Sequence, residues 1–137
     1  MKIYFAGSIR GGREDKEKYE DIISWLSKFG RVLTEHVGEG SLSNRGQTHI
    51  SDKEIYQQDT DWIRESDIMV AEVTQPSLGV GYELCYAKQL MIPVICLFDQ
   101  TSMRSLSAMI SGNEYFTVIN YQTLSQAKKR LEKELES

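Results

Sequence analysis

Two carboxylates carry the sharpest chemical signal in the chain. A helix is predicted from Lys53 to Ser66, and Ile55, Trp62, Ile63 and Ser66 fall on one side of it. Asp59 comes four residues after Ile55 and three before Trp62, in the middle of that apolar side. A carboxylate there is costly unless it is paired or used, and burial would raise its pKa, which suits a proton donor. A structural hydrogen bond or an N-cap to a neighbouring loop is the plainer alternative. Asp61 and Glu65 point elsewhere and are read as solvated. The second carboxylate is Glu83. It follows Ser77-Leu78-Gly79-Val80-Gly81-Tyr82, in which two glycines lead into a helix and Ser77 offers a hydroxyl, as in an anion cradle. Glu83 is expected in the first turn of that helix, where the helix dipole alone would favour a carboxylate.

Other candidates are weaker. The Gly7–Arg13 loop reads GSIRGGR, and its glycines would let backbone N–H groups approach an anion. Its spacing is neither a Walker A loop nor G-x-G-x-x-G, and a tight turn with two exposed arginines explains it equally well. Tyr4 is a phenol near the end of the first strand, with core packing as the alternative. His36 stands at a strand end, where a routine hydrogen bond is the bland explanation. His49 suggests nothing, and Trp62 reads as core.

The elements that must position these groups alternate. Strands are predicted at Lys2–Ala6, Arg31–His36, Ile68–Val73, Val94–Phe98 and Phe116–Ile119. Helices are predicted at Glu14–Phe29, Lys53–Ser66, Val80–Leu90 and Gln122–Leu135, and Asp99–Gly112 is irregular or partly helical. Residues 37–52 are rich in Gly, Ser and Asn without periodicity, as expected of a functional lid or mobile segment. The alternation implies an α/β fold: a doubly wound, flavodoxin-like (Rossmann-like) five-stranded parallel sheet with helices on both faces. Ligands of such sheets bind beyond the C-terminal strand ends. Those ends carry Gly7–Arg13, His36, Gln75–Glu83 and Asp99–Met109, where most of the unusual residues lie.

The chain has 137 residues, enough for one domain with its own core. Its net charge is −4, and Lys128-Lys129-Arg130 is its one basic run, so a polynucleotide partner is not expected. The two cysteines, Cys85 and Cys96, lack metal or disulfide spacing and read as reduced packing residues, with no metal site expected. No apolar run approaches the ~20 residues of a membrane span. The opening residues run directly into a strand pattern, so a cytoplasmic protein is expected.

Five separated segments then converge. YFAGSIRGGRED (Tyr4–Asp15), LTEHV (Leu33–Val37), QDTDW (Gln58–Trp62), AEVTQPSLGVGYEL (Ala71–Leu84) and LSAMI (Leu106–Ile110) closely resemble the 2′-deoxynucleoside 5′-phosphate N-hydrolases of the nucleoside 2-deoxyribosyltransferase family. The likeness weakens in 38–53 and in the last helix. It implies an enzyme without a cofactor that cleaves the N-glycosidic bond of 2′-deoxynucleoside 5′-monophosphates. Glu83 would be the nucleophile on C1′, Asp59 the acid and then the base, and Tyr4 the group orienting Glu83. Ser77 and Gly79 would hold the 5′-phosphate. Ser107, with Ala108 and Met109, would reach the phosphate region from the second subunit of a homodimer. Gly7, Ile9, Arg10 and His36 would line the base and phosphate pocket.

Paired carboxylates sharing acid and nucleophile roles suit departure through an oxocarbenium-like state, as in glycosidases. Unlike surroundings would separate the two roles. One rival is a nucleoside 2-deoxyribosyltransferase, which would exchange bases instead of using water; Ser77, Gly79, Ser107 and Arg10 favour a phosphorylated substrate. A ribonucleotide substrate is a further alternative. The rival of another class is a non-catalytic nucleotide-binding module, which would have no use for Asp59 on an apolar face together with Glu83.

Overall fold

Alternation along the central strands decides where the helices pack. The protein is represented by a computed structural model that describes residues 1–9, 12–34 and 50–136. Five parallel strands, β1 (Lys2–Gly7), β2 (Arg31–Leu33), β3 (Ile68–Glu72), β4 (Val94–Asp99) and β5 (Thr117–Tyr121), form one sheet in the order β2-β1-β3-β4-β5. This is the flavodoxin-like order expected from the sequence. The helices are α1 (Gly12–Leu26), α2 (Asp52–Glu65), α3 (Leu78–Gln89), the short α4 (Ala108–Ser111) and α5 (Leu124–Glu136), with a 3-10 turn at Gln100–Ser102.

The sheet separates two cores. Tyr4 and Ala6 of β1, with Met69 and Ala71 of β3, pack with Ile63 of α2 and Val80, Leu84 and Ala87 of α3. Ile3 and Phe5, with Val70, pack on the opposite face with Tyr19, Ile22 and Leu26 of α1 and Ala127 and Leu131 of α5. Successive strand residues thus serve opposite layers.

Most differences from the sequence expectation lie at helix ends and have local causes. α2 starts at Asp52 because Ser51 caps it. The Ser51 hydroxyl accepts from the Glu54 amide at 3.1 Å, and the Glu54 carboxylate accepts from the Ser51 amide at 2.9 Å, completing a capping box. The loop expected over 37–52 therefore gives way to helix at its end, and its residues 37–49 lie outside the described ones. α3 starts at Leu78, two residues earlier than expected, because Ser77 Oγ accepts from the Val80 amide at 3.2 Å. α1 starts at Gly12, whose φ of +83° favours glycine. It ends at Leu26, where three-residue turns close on Trp25 and Leu26 in place of a further helical turn. β2 ends at Leu33, with Thr34 already outside the strand, and residues 35 and 36 of the strand expected up to His36 lie outside the described residues. Among the described residues, no helix is long and apolar enough to cross a membrane.

Both cysteines are free: Cys96 is buried in β4 and Cys85 is exposed on α3. Burial pushes the Cys96 thiol up to about 12. Titration of the native protein with a thiol-reactive disulfide at pH 8 is therefore expected to release one equivalent, and two after unfolding in guanidinium. Two equivalents from the native state would contradict the packing of β4.

Candidate active site

The site is assembled on the sheet face covered by α2 and α3. Tyr4 projects from β1 toward that face and is only 3% exposed. Its hydroxyl donates to Glu83 Oε2 at 2.8 Å, across 79 residues of sequence. Glu83 lies three residues after Val80 and four before Ala87, both buried, so it belongs to the inward side of α3 and is half-buried there. With the helix starting at Leu78, Glu83 stands in the second turn and not the expected first. The helix dipole falls off within the first turn, so the Tyr4 hydroxyl becomes the more important donor to this carboxylate.

Asp59 is half-buried on α2, four residues before the fully buried Ile63. α2 packs against both β1 and α3. The two carboxylates therefore come from neighbouring helices over one sheet face, with Tyr4 rising from the strand beneath. A half-buried pair of this kind, one member held by a phenol, suits proton transfer and nucleophilic attack.

The remaining expected residues form a second group. Ser77 and Ser107, with Met109, line a cleft of about 690 Å³ whose other walls include Thr74, Val80 and Phe116. Tyr4, Asp59 and Glu83 are not among its lining residues. The cleft and the carboxylates share α3, which Ser77 caps and which carries Glu83. The Ser107 hydroxyl caps α4, accepting from the Met109 amide at 3.2 Å. Each capping hydroxyl accepts one bond and keeps its own proton for another acceptor. Ala108 is exposed, as is Met109. Packing places no demand for glycine at 79, where an added Cβ would meet only Ser77 Oγ at 3.9 Å. Ile9 is exposed, Gly7 is buried, and Arg10 and His36 lie outside the described residues.

A model of the nucleoside 2-deoxyribosyltransferase family matches residues 3–132. The chain belongs to this family. Within it, a 5-hydroxymethyl-dUMP N-hydrolase of Tetraodon nigroviridis is 52% identical over 126 residues, covering 88% of each chain. The enzyme of the same name from Homo sapiens is 54% identical over 111 residues, covering 80% of this chain and 64% of that one. A protein of Syntrophotalea carbinolica named as a putative 2′-deoxynucleoside 5′-phosphate N-hydrolase is 44% identical, covering 92% of this chain and 88% of the other. Among solved structures, Clostridium botulinum CMP N-glycosidase superposes with a TM-score of 0.72 at 20% identity, covering 96% of this chain and 98% of that one. At that identity the likeness concerns the fold. The resemblance drawn from the sequence holds, and this member of the deoxyribosyltransferase family is an N-glycosidase.

Sequence reasoning missed a polar cluster on the other sheet face. Glu72, the last residue of β3, is 1% exposed. Its neighbours include Thr74, Tyr121 and Lys18. Burial pushes the Tyr121 phenol far above its ordinary value, and the Glu72 charge adds to this. The available signal was one charged residue in an otherwise apolar strand, which the continuous run Ile68–Val73 disguised.

Gly7 pairs with Glu72 in the sheet and lies against the buried Tyr19 ring. An added Cβ would stand 2.9 Å from Tyr19 Cζ, closer than packed atoms allow. Gly7→Ala is expected to cost ~1–3 kcal/mol through overpacking, read as a lower urea midpoint with an unchanged m-value. Wild-type stability would show that the ring moves freely.

Proposed function

We propose that this chain hydrolyses the N-glycosidic bond of 2′-deoxynucleoside 5′-monophosphates, yielding a free base and 2-deoxyribose 5-phosphate. The observation that carries the reading is the 2.8 Å hydrogen bond from Tyr4 to Glu83. It holds a half-buried carboxylate in place. A carboxylate oxygen of Glu83 attacks C1′ as the C1′–N bond breaks, and Asp59 passes its proton to the departing base. Water then attacks C1′, Asp59 takes the proton, and the Glu83 carboxylate is regenerated. The names of relatives at 44–54% identity support this substrate class.

The 5′-phosphate would rest at the start of α3. There the Ser77 hydroxyl has a proton to give, and the amides of Leu78 and Gly79 precede the helix's own hydrogen-bond ladder. The open space at Gly79 supports close approach of a ligand. The protein would act as a homodimer, with Ser107, Ala108 and Met109 reaching the partner's phosphate region. Leu78 and Met109, 97% and 82% exposed beside the cleft, support such an association. Gly7, Ile9, Arg10 and His36 would complete the base and phosphate pocket. Two free thiols fit action in the reducing cytoplasm.

The test is a chromatographic assay with 5-hydroxymethyl-dUMP, dGMP, GMP and deoxyguanosine, with and without an acceptor base. Base release from the deoxynucleoside monophosphates alone, unaffected by acceptor, is expected. Base exchange on deoxyguanosine would make the protein a transferase. Glu83→Ala should abolish cleavage yet retain nucleotide binding, and undiminished turnover would remove Glu83 from its role. Tyr4→Phe should lower kcat roughly 10–100-fold, the worth of a hydrogen bond to a charged group. Asp59→Asn should slow turnover most for poorly leaving bases; wild-type rates on those substrates would exclude Asp59 as the acid.

A further inference from the structure

Glu72 is a buried charge with a full set of partners. Its Oε1 accepts from the Thr74 amide at 3.0 Å. Its Oε2 accepts from the Thr74 hydroxyl at 2.8 Å and the Tyr121 hydroxyl at 2.5 Å. The Lys18 ammonium stands 3.7 Å from the same oxygen, 5.8 Å from the centre of the Tyr121 ring and 3.5 Å from Asp99 Oδ2. Thr74 Oγ1 accepts in turn from the Asp99 amide at 2.9 Å. Asp99 Oδ1 accepts from the amide and hydroxyl of Thr101, at 2.9 and 2.6 Å. A carboxylate so enclosed is tolerable only when hydrogen-bonded and charge-paired throughout.

The position of this network gives it a further consequence. Thr74, two residues beyond the end of β3, lies in the segment that leads through Gln75 and Pro76 to Ser77. Asp99 ends β4 and opens the segment that leads to Ser107. One buried carboxylate therefore anchors the roots of both loops that line the cleft. Side chains of Lys18 from α1, Tyr121 from β5 and Thr74 from the segment after β3 meet at it, so loop placement is tied to the sheet.

We propose that Glu72, with Thr74 and Tyr121, is a positioning network for phosphate recognition: it sets where the Ser77 and Ser107 loops stand without touching substrate. The inference rests on the phosphate site proposed above. Its signature is weakened binding of the phosphate end with a smaller change in the chemical step, because the Tyr4 bond that holds Glu83 and the helix α2 that carries Asp59 lie on the opposite sheet face.

Thr74→Val removes the hydroxyl that donates to Glu72 and accepts from Asp99, with almost no change of shape. Thr74→Ser restores it, and Tyr121→Phe removes the other hydroxyl. Calorimetric titration with 2-deoxyribose 5-phosphate, steady-state kinetics on the monophosphate and thermal melting are measured for each. Thr74→Val is expected to raise Kd and KM by about tenfold and to leave kcat within roughly twofold, with Thr74→Ser near wild type. Tyr121→Phe should move Kd in the same direction, and it carries the test if Thr74→Val does not fold. Unchanged Kd in both folded variants would overturn the positioning role while leaving the phosphate site intact. A proportional loss of kcat, not rescued by serine, would also overturn it, as a general structural effect. Wild-type protein that binds no 2-deoxyribose 5-phosphate would overturn the phosphate site and this inference together.

Discussion

Burying carboxylates at the C-terminal half of a parallel sheet is the constraint around which this structure is arranged. On each face of the sheet one carboxylate accepts from a tyrosine hydroxyl carried by a strand. On one face Tyr4 of β1 reaches Glu83 at 2.8 Å, and on the other Tyr121 of β5 reaches Glu72 at 2.5 Å. A phenol suits such a position because its ring contributes to the apolar layer and its tip supplies the donor. Strand alternation determines which layer each tyrosine enters, so register fixes which carboxylate it can serve. Gly7 belongs to the same arrangement. It pairs with Glu72, and its missing side chain admits the Tyr19 ring beside the network.

The two pairs differ in one respect that separates their uses. Glu83 is half-buried, so it can meet a ligand. Glu72 is 1% exposed, with both oxygens engaged by Thr74 and Tyr121 and Lys18 close by, so it has geometry to offer but no chemistry. In the proposed mechanism α3 would link phosphate binding to bond cleavage. Ser77 caps its first turn and Glu83 follows six residues later, about 9 Å along the axis at 1.5 Å per residue. A phosphate at the helix start would thus place its sugar along the helix toward the carboxylate. A helix is stiff enough to keep that span constant, which a loop of equal length would not do.

The order of the sheet and the inward placement of Asp59 were legible, the first from the alternation of elements and the handedness of their crossovers and the second from helical periodicity. The helix starts were less so. Ser77 read as an anion-binding hydroxyl, and its capping bond to the Val80 amide, which draws Glu83 into the second turn, is a matter of side-chain rotamer. Ser51 was read into a long loop, although its partner Glu54 lies three residues on in the capping-box pattern. The Glu72 network was invisible for another reason. Its members are Lys18, Glu72, Thr74, Asp99 and Tyr121, spread over more than a hundred residues, and only the fold brings them together. No local pattern marks Tyr121, which lies beyond the strand expected at Phe116–Ile119 and ends the observed one.

That distinction bears on how activity could be divided within such a domain. The residues proposed to meet substrate stand on helix faces and loops, where sequence segments are short and recognisable. The residues that hold those loops are drawn from the sheet and from α1, and each is ordinary in its own context. Changing a contact residue removes one interaction. Changing Glu72 or its partners would displace several at once, since both loops are rooted there. A buried ion pair adds little net stability over an apolar replacement. Its presence here is therefore better explained by what it positions than by what it stabilises: an apolar side chain at residue 72 could fill the space, but it could not accept from the amide and hydroxyl of Thr74 and so fix the direction in which the chain leaves the sheet.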